Sequence, residues 1–406
     1  MAHPRDVSPD ETVLKRIFGD NQPSSVSVIL QDWDKCVCKA VFPDALENGR
    51  FSCILRLEAR DSSSANFIMV AAMQEIAATC IPGLVPETLQ LGSVTDGKGR
   101  DFQYSTTEFI EGNTLEEIWD DMASEDRQSI AAAIVEALSK LHSLRLSDTK
   151  VQAILRRVLG EESEEIVKKA VMGGPFIGFL NDGSSLLHSI EKRLALRRPF
   201  HTTEPIADPK GLVIKSKFED IGASIVRDSD MEQWVKEAVL CHNDLNPRNL
   251  MVRSIESTDG KAGYKLAAMI DWELAGFFPP SYEISLQDTY LCGSCFSFYL
   301  LLKEGMKDIC PPTSSQVSLL RAMELLYESQ QRQLFEGKNI GAHIRRRFME
   351  VLQLSRDEDP YVGWTCKTEG KQLPELSRAD TDKLENDVID DMIERGLINA
   401  SRVIRG

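Results

Sequence analysis

The sequence predicts an α+β protein in which a small β-rich unit precedes a larger helical one. Residues 25–110 alternate short apolar or β-branched runs with clusters of Gly, Pro, Asn and Asp, and hold one Ala-rich stretch. That is the pattern of several strands with a single helix. From Thr114 onward, apolar residues recur at three- and four-residue spacing, the signature of amphipathic helices. The length, 406 residues, fits two or three domains, or two lobes with an insertion.

The elements follow in order. Residues 26–30, 36–41 and 51–57 read as strands, with a turn-rich segment over 43–49. Residues 66–80 are apolar and Ala-rich enough for a helix, closed by Pro82 and Gly83. Two further strands are expected over 88–93 and 102–110, separated by the turn signals Asp96-Gly97 and Lys98-Gly99. Thr114 and Glu117 have capping-box spacing and start the next helix. A long amphipathic helix is expected over 128–144, with Ile130, Ile134, Leu138 and Leu141 on one face. Residues 150–235 are less regular: a charged helix near 161–171, a Gly/Pro turn at 173–178, then mixed loops. Residues 313–358 and 379–403 are again helical and charged, and no repeat or low-complexity tract is seen.

Lys and Arg number 47 against 63 Asp and Glu, a formal charge of −16. That balance argues against nucleic acid or an anionic membrane as the main partner, since both need basic footprints. It favours neutral or cationic partners. The polar N-terminal stretch lacks the apolar segment of a secretory signal. The longest apolar run, 295–302, is too short for a membrane span and contains Ser297. Nine cysteines, an odd number, fit reduced thiols in a cytoplasmic protein. The close pairs Cys36/Cys38 and Cys292/Cys295 have no partner pair to complete a zinc site, so buried thiols are expected.

The segment that carries chemistry is 240–252, LCHNDLNPRNLMV. Apolar residues lead in, a polar loop crosses, and another apolar run follows Asn249. After the turn signals Asp259-Gly260 and Ala262-Gly263, a second strand over 264–270 ends in Asp271-Trp272-Glu273. The two strands form a hairpin that returns the chain and places Asp271 beside Asp244 and Asn249. H-x-D-x-x-x-x-N alone arises by chance in roughly one chain in fifty, so the second strand ending in Ile-Asp is what makes the pattern specific. Such a cluster suits phosphoryl transfer. One Asp accepts the proton of an incoming hydroxyl, while an Asn and a second Asp hold Mg²⁺ against nucleotide phosphates. His242 fits the bracing of the loop by hydrogen bonding. The acidic run 111–126 reads as a solvated helix face, and the aromatic residues of 277–299 as core.

HNDLNPRN at 242–249 and IDWELAGFFPP at 270–280, with TEFIEGNTL at 107–115 and SKLH at 139–142, resemble the aminoglycoside phosphotransferase (APH)/choline kinase-like family, especially its fungal branch. The resemblance covers most of 50–145 and 238–300. It implies a two-lobed protein-kinase-like fold, with a nucleotide-binding lobe over 1–112 and a helical lobe over 113–406 carrying an insertion at about 150–235. It further implies Asp244 as catalytic base, Asn249 and Asp271 as Mg²⁺ ligands, and adenine at the connector near Glu108 and Ile110. His242, Arg248 and Glu273 become substrate contacts or supports, with ATP and Mg²⁺ as cofactors and a small molecule as acceptor. The fungal branch points to specialised metabolism.

The nucleotide-gripping half departs from the family. No G-x-G-x-x-G occurs in 19–60, Arg56 stands where many kinases place a phosphate-holding Lys, and Met69 occupies the position of the helix Glu that orients that cation. Glu75 lies six residues on, about 600° around the helix and so on another face. Residue 243 is Asn where Gly is usual. These departures leave open a rival reading, a kinase-like fold without phosphotransfer that binds a ligand or runs acid–base chemistry in the same cleft.

Overall fold

Side-chain alternation builds the first sheet. In a computed structural model of the chain, which describes residues 7–46, 49–59, 67–256, 262–287, 289, 295–366 and 376–399, a short helix α1 (Glu11–Phe18) is followed by β1 (Ser25–Gln31), β2 (Lys35–Val41) and β3 (Ser52–Ala59). Helix α2 (Phe67–Ala78), β4 (Thr88–Thr95) and β5 (Asp101–Glu108) complete the unit. The strands form one antiparallel sheet ordered β1-β2-β3-β5-β4. Asp259-Gly260, Cys292 and the far end of the last expected helix lie outside the described residues.

Residues Cys36, Cys38, Leu55 and Leu57 point to one face and are buried against Val13 and Ile17 of α1. The other face carries Lys35 opposite Glu58 and Val37 opposite Arg56, so period-two alternation delivers a basic and an acidic residue to the same surface. Helix α1 was not foreseen; at eight residues it is held by few apolar contacts, and Asp10 caps it by accepting from the Val13 N–H at 2.8 Å. Helix α2 is apolar nearly all round and buried on several faces, as such a pattern requires.

The chain leaves β5 through a connector at 109–112. Gly112 has φ +137°, and a Cβ there would stand 2.3 Å from the Val252 carbonyl oxygen, so only glycine lets the connector lie against the following hairpin. The two-residue strand β6 (Asn113–Thr114) then starts α3 (Leu115–Ile118). Its expected capping box is formed, with Thr114 N–H donating to Glu117 at 2.8 Å and Glu117 N–H donating to Thr114 at 3.3 Å. Helix α4 (Ser124–Leu141) buries Ile130, Ile134, Leu138 and Leu141 as expected. Most side chains of the acidic run, Glu117, Asp120, Asp121 and Glu125 among them, face solvent.

Beyond α5 (Thr149–Leu159) and α6 (Ser163–Lys169), the region read as turn and loops is more regular than expected. It holds a hairpin, β7 (Met172–Gly174) and β8 (Gly178–Leu180), then α7 (Gly183–Leu194). A three-stranded sheet follows, of β9 (His201–Ala207), β10 (Lys210–Ser216) and β11 (Ala223–Arg227), and then α8 (Asp228–Glu237). Few of those strand residues are buried, chiefly Ile214, Ser216 and Val226, so the apolar alternation that announces a strand is faint.

Four strands frame the site: β12 (Val239–Cys241), β13 (Leu250–Glu256), β14 (Ala262–Met269) and β15 (Gly276–Phe278). The remainder is helical, α9 (Pro280–Gln287), α10 (Phe296–Met306), α11 (Ser314–Glu336) and α12 (Ile340–Val351), then a hairpin of β16 (Leu354–Arg356) and β17 (Trp364–Cys366), and α13 (Arg378–Glu394). The result is an N-terminal antiparallel sheet joined to a helical C-terminal part, the kinase-like arrangement expected. Among the described residues, no helix is long and apolar enough to cross a membrane, and the seven described cysteines with free thiols include buried Cys36 and Cys38.

Candidate active site

Two ladders hold two loops side by side. Residues 242–249 run from the end of β12 to the start of β13, and 270–275 run from β14 to β15. Strand β12 pairs with β15, Cys241 opposite Gly276, and β13 pairs with β14, Leu250 opposite Met269. Each loop is therefore anchored at both ends to the same neighbour. Hydrogen bonds stitch them together: Ile270 N–H to the Asn249 carbonyl at 2.8 Å, His242 Nε2 to the Ile270 carbonyl at 3.1 Å, and Asn243 Nδ2 to the Leu274 carbonyl at 3.0 Å.

His242 has a bracing position. Its Nε2 faces a carbonyl, which only accepts, so that nitrogen carries the proton; Nδ1 is left to accept from the Asp244 N–H at 3.2 Å. Burial lowers its pKa despite the nearby charges of Asp244 and Glu283. The ring packs edge-on to Trp272, centroids 4.6 Å apart. Asn249 Nδ2 donates to the Asp244 carbonyl at 3.1 Å and to Asp244 Oδ2 at 2.7 Å. This fixes the orientation of both side chains and turns Asn249 Oδ1 to the opposite side.

The fully buried Glu283 of α9 organises the start of the loop. One oxygen accepts from both His242 and Asn243 N–H groups, each at 2.8 Å, and the other lies 3.3 Å from His142 Nε2. Cys241 Sγ is close enough to give three possible metal-ligand atoms within 4.8 Å, but both Glu283 oxygens are already engaged. No spacing in the sequence signals this role of Glu283.

Arg56 crosses from the sheet to the second loop. Its guanidinium meets Glu273 at 2.5 Å and Asp271 at 3.5 Å, and its Nε donates to Glu58 at 2.6 Å. Burial works against the charge, yet Glu273, Glu58 and Asp271 together raise its pKa. The cation–carboxylate pair missing from α2 is thus rebuilt within β3, two residues along one strand face. Met69 is buried in the core, and Glu75 instead pairs with Arg157 of α5. Burial and the charge of Glu273 push the Asp271 carboxyl up to about 6, with Arg56 and Lys35 opposing. Glu273 is lowered: burial is outweighed by Arg56, Lys35 and exposed Arg248. Lys35, at the β1–β2 turn, was not singled out from the sequence. Asp271 has a left-handed backbone, φ +62°.

At the connector, Glu108 ends β5, its N–H donating to the Glu87 carbonyl at 2.8 Å and its side chain pairing with Arg50 at 2.5 Å. Ile110 lies just beyond, outside both neighbouring ladders. A cavity of about 160 Å³ beside the first loop is lined by Asn243, Leu274, Phe278 and Tyr282. Phe278 and Tyr282 therefore serve the core, as expected, and a cavity wall as well. A larger cavity, about 1010 Å³, lies between β11, α11 and α12, and none of the candidate site residues lines it.

Residues 45–287 match the family model of the phosphotransferase enzyme family, APH. No curated protein sequence matches the chain. Among solved structures it is similar to a GDP complex of a variant aminoglycoside 2'-phosphotransferase-IIIa, at 12% identity over 94% of this chain and 97% of that one, with TM-score 0.40. It is also similar to the AMP-bound complex of the spectinomycin phosphotransferase APH(9)-Ia, at 10% identity over 83% and 93% of the two chains, with TM-score 0.37. With the family model spanning more than half of its length, the chain belongs to the APH phosphotransferase enzyme family.

Proposed function

We propose that the protein is an ATP- and Mg²⁺-dependent phosphotransferase that acts on a hydroxyl of a small molecule. The observation that carries the reading is the convergence of Asp244, Asn249 and Asp271 on two cross-linked loops, with Arg56 reaching them from the facing sheet. Asp244 takes the proton of the attacking hydroxyl, its carboxylate held in one orientation by Asn249. The hydroxyl oxygen bonds to the terminal phosphorus as the bond to the bridging oxygen breaks and ADP departs. Positioning and charge neutralisation, rather than covalent chemistry by the protein, supply the rate.

The residues fit a hard divalent cation. Asp271 and Glu273 form an anionic pair in which burial first and the charge of Glu273 second raise Asp271, and Asn249 Oδ1 is the amide atom left for a ligand role. When bound, Mg²⁺ supplies neutralisation of the phosphate charge. Arg56 and Lys35 face the phosphates, and the main chain at Glu108–Ile110 receives adenine. The Arg56–Glu58 pair supports this reading over a kinase-like fold without phosphotransfer, because it answers the main motive for that rival, the lost helix Glu.

Thermal stability with and without ATP and Mg²⁺ tests the proposal. Nucleotide at 100-fold its dissociation constant should add about 2.7 kcal/mol. No stabilisation at millimolar ATP refutes it.

A further inference from the structure

Asn243 precedes Asp244 and holds a left-handed backbone, φ +64°, a conformation glycine adopts freely and a side chain tolerates at a cost. The residue is 1% exposed. Its Nδ2 donates to the Leu274 carbonyl, which fixes the amide orientation, because a carbonyl cannot donate. Oδ1 is therefore an acceptor, and it is buried with no hydrogen-bond partner. Buried acceptors are costly to leave unmade, and an orphaned acceptor on a left-handed backbone is a candidate for a ligand contact.

That atom belongs to a residue lining the cavity of about 160 Å³, close to the roughly 150 Å³ that holds a benzene ring in an engineered apolar cavity. The walls are mostly apolar, with Ile190, Leu194 and Met323 around the stacked rings of Phe278 and Tyr282, 4.7 Å apart, and Ser285 and Thr289 also lining them. Among the described lining residues the only charge is Arg193, whose guanidinium lies 3.5 Å above the Phe176 ring. No described carboxylate lines it to welcome an amine, which turns the charge expectation away from a cationic acceptor.

We propose that this cavity is the acceptor pocket, and that its occupant is a ring-sized, largely apolar hydroxyl compound, neutral or anionic, carrying a second O–H or N–H donor for Asn243 Oδ1. The inference rests on the phosphotransferase reading. The second donor follows from proton counting: the attacking hydroxyl has one proton, and Asp244 takes it. Asn243 thereby adds to the discrimination among ring compounds an amide acceptor that the apolar side chains of the wall do not supply.

Ligand-observed NMR titration of the full chain without nucleotide, with catechol, toluene and benzylamine as probes, tests it. Catechol should bind about tenfold more tightly than toluene, the effect of one buried hydrogen bond, and benzylamine more weakly than catechol. Asn243→Gly, which keeps the backbone conformation and removes Oδ1, should bring catechol to within about twofold of toluene. Leu194→Trp, which fills the cavity, should abolish binding of both. Absent binding by catechol and toluene, equal affinities in the wild type, a preference retained in Asn243→Gly, tightest binding by benzylamine, or no effect of Leu194→Trp overturns the proposal. Because nucleotide is absent, failure of ATP to stabilise the protein would remove the phosphotransferase reading without altering these outcomes.

Discussion

Asp271 should weaken the ligand-free fold that it serves. Its carboxyl is pushed from an ordinary 3.8 up to about 6, by burial first and the charge of Glu273 second. At 1.36 kcal/mol per decade, that difference corresponds to about 3 kcal/mol of cost when the group is ionised. The side chain is 29% exposed, and water screens part of this, leaving about 1–2 kcal/mol. Since the folded pKa lies above the unfolded one, the native chain holds more protons between 3.8 and about 6. Stability from this group falls as pH rises through that window and is flat above it. Asp271→Asn should therefore stabilise the protein in chelator at pH 8 by about 1–2 kcal/mol, a Tm rise of about 1–2 °C, and the gain should roughly halve at pH 5. Urea unfolding of both proteins at the two pH values measures it. With Mg²⁺ and ATP added, the order should reverse. A variant less stable than the wild type at pH 8, or a difference independent of pH, would show that Arg56 already satisfies the carboxylate and would refute the reasoning.

Asp244→Asn should lower kcat by about 10²–10⁴-fold while the nucleotide KM changes by less than about twofold; steady-state kinetics separate the two. Glu283→Ala leaves the His242 and Asn243 N–H groups buried and unpaired and should cost about 2–4 kcal/mol in chemical denaturation, whereas Glu283→Gln, which keeps an acceptor, should cost about half as much. Arg56→Ala should weaken ATP binding at least about tenfold by calorimetry, with Arg56→Lys recovering only part, because a lysine cannot reach several carboxylates as a planar fork.

The strands of the sheet and the two loops were legible because alternation and the spacing of HNDLNPRN and IDWE are local properties of the chain. The capping box at Thr114 was legible for the same reason. Glu58 was not. The kinase pattern points to α2 for the partner of Arg56, whereas the partner stands two residues away on the same strand. Glu283 acts through a helix 40 positions beyond the N–H groups it receives, a contact no spacing rule reports. The sheet of 201–227 was hidden by its exposed side chains, and the orphaned Oδ1 of Asn243 depends on an amide orientation set by Leu274.

Building the cation–carboxylate pair into one strand also changes what can be regulated. In protein kinases the corresponding pair joins a strand to a mobile helix, so a shift of that helix makes or breaks it. Here Arg56 and Glu58 stand on one strand at the middle of the sheet, while α2 contributes buried Met69 to the core. Helix displacement has no carboxylate to withdraw, so the clasp is formed whenever the sheet is folded. Any switch must then act across the cleft, on the reach of Arg56 to Asp271 and Glu273, where the occupant of the site itself decides the state.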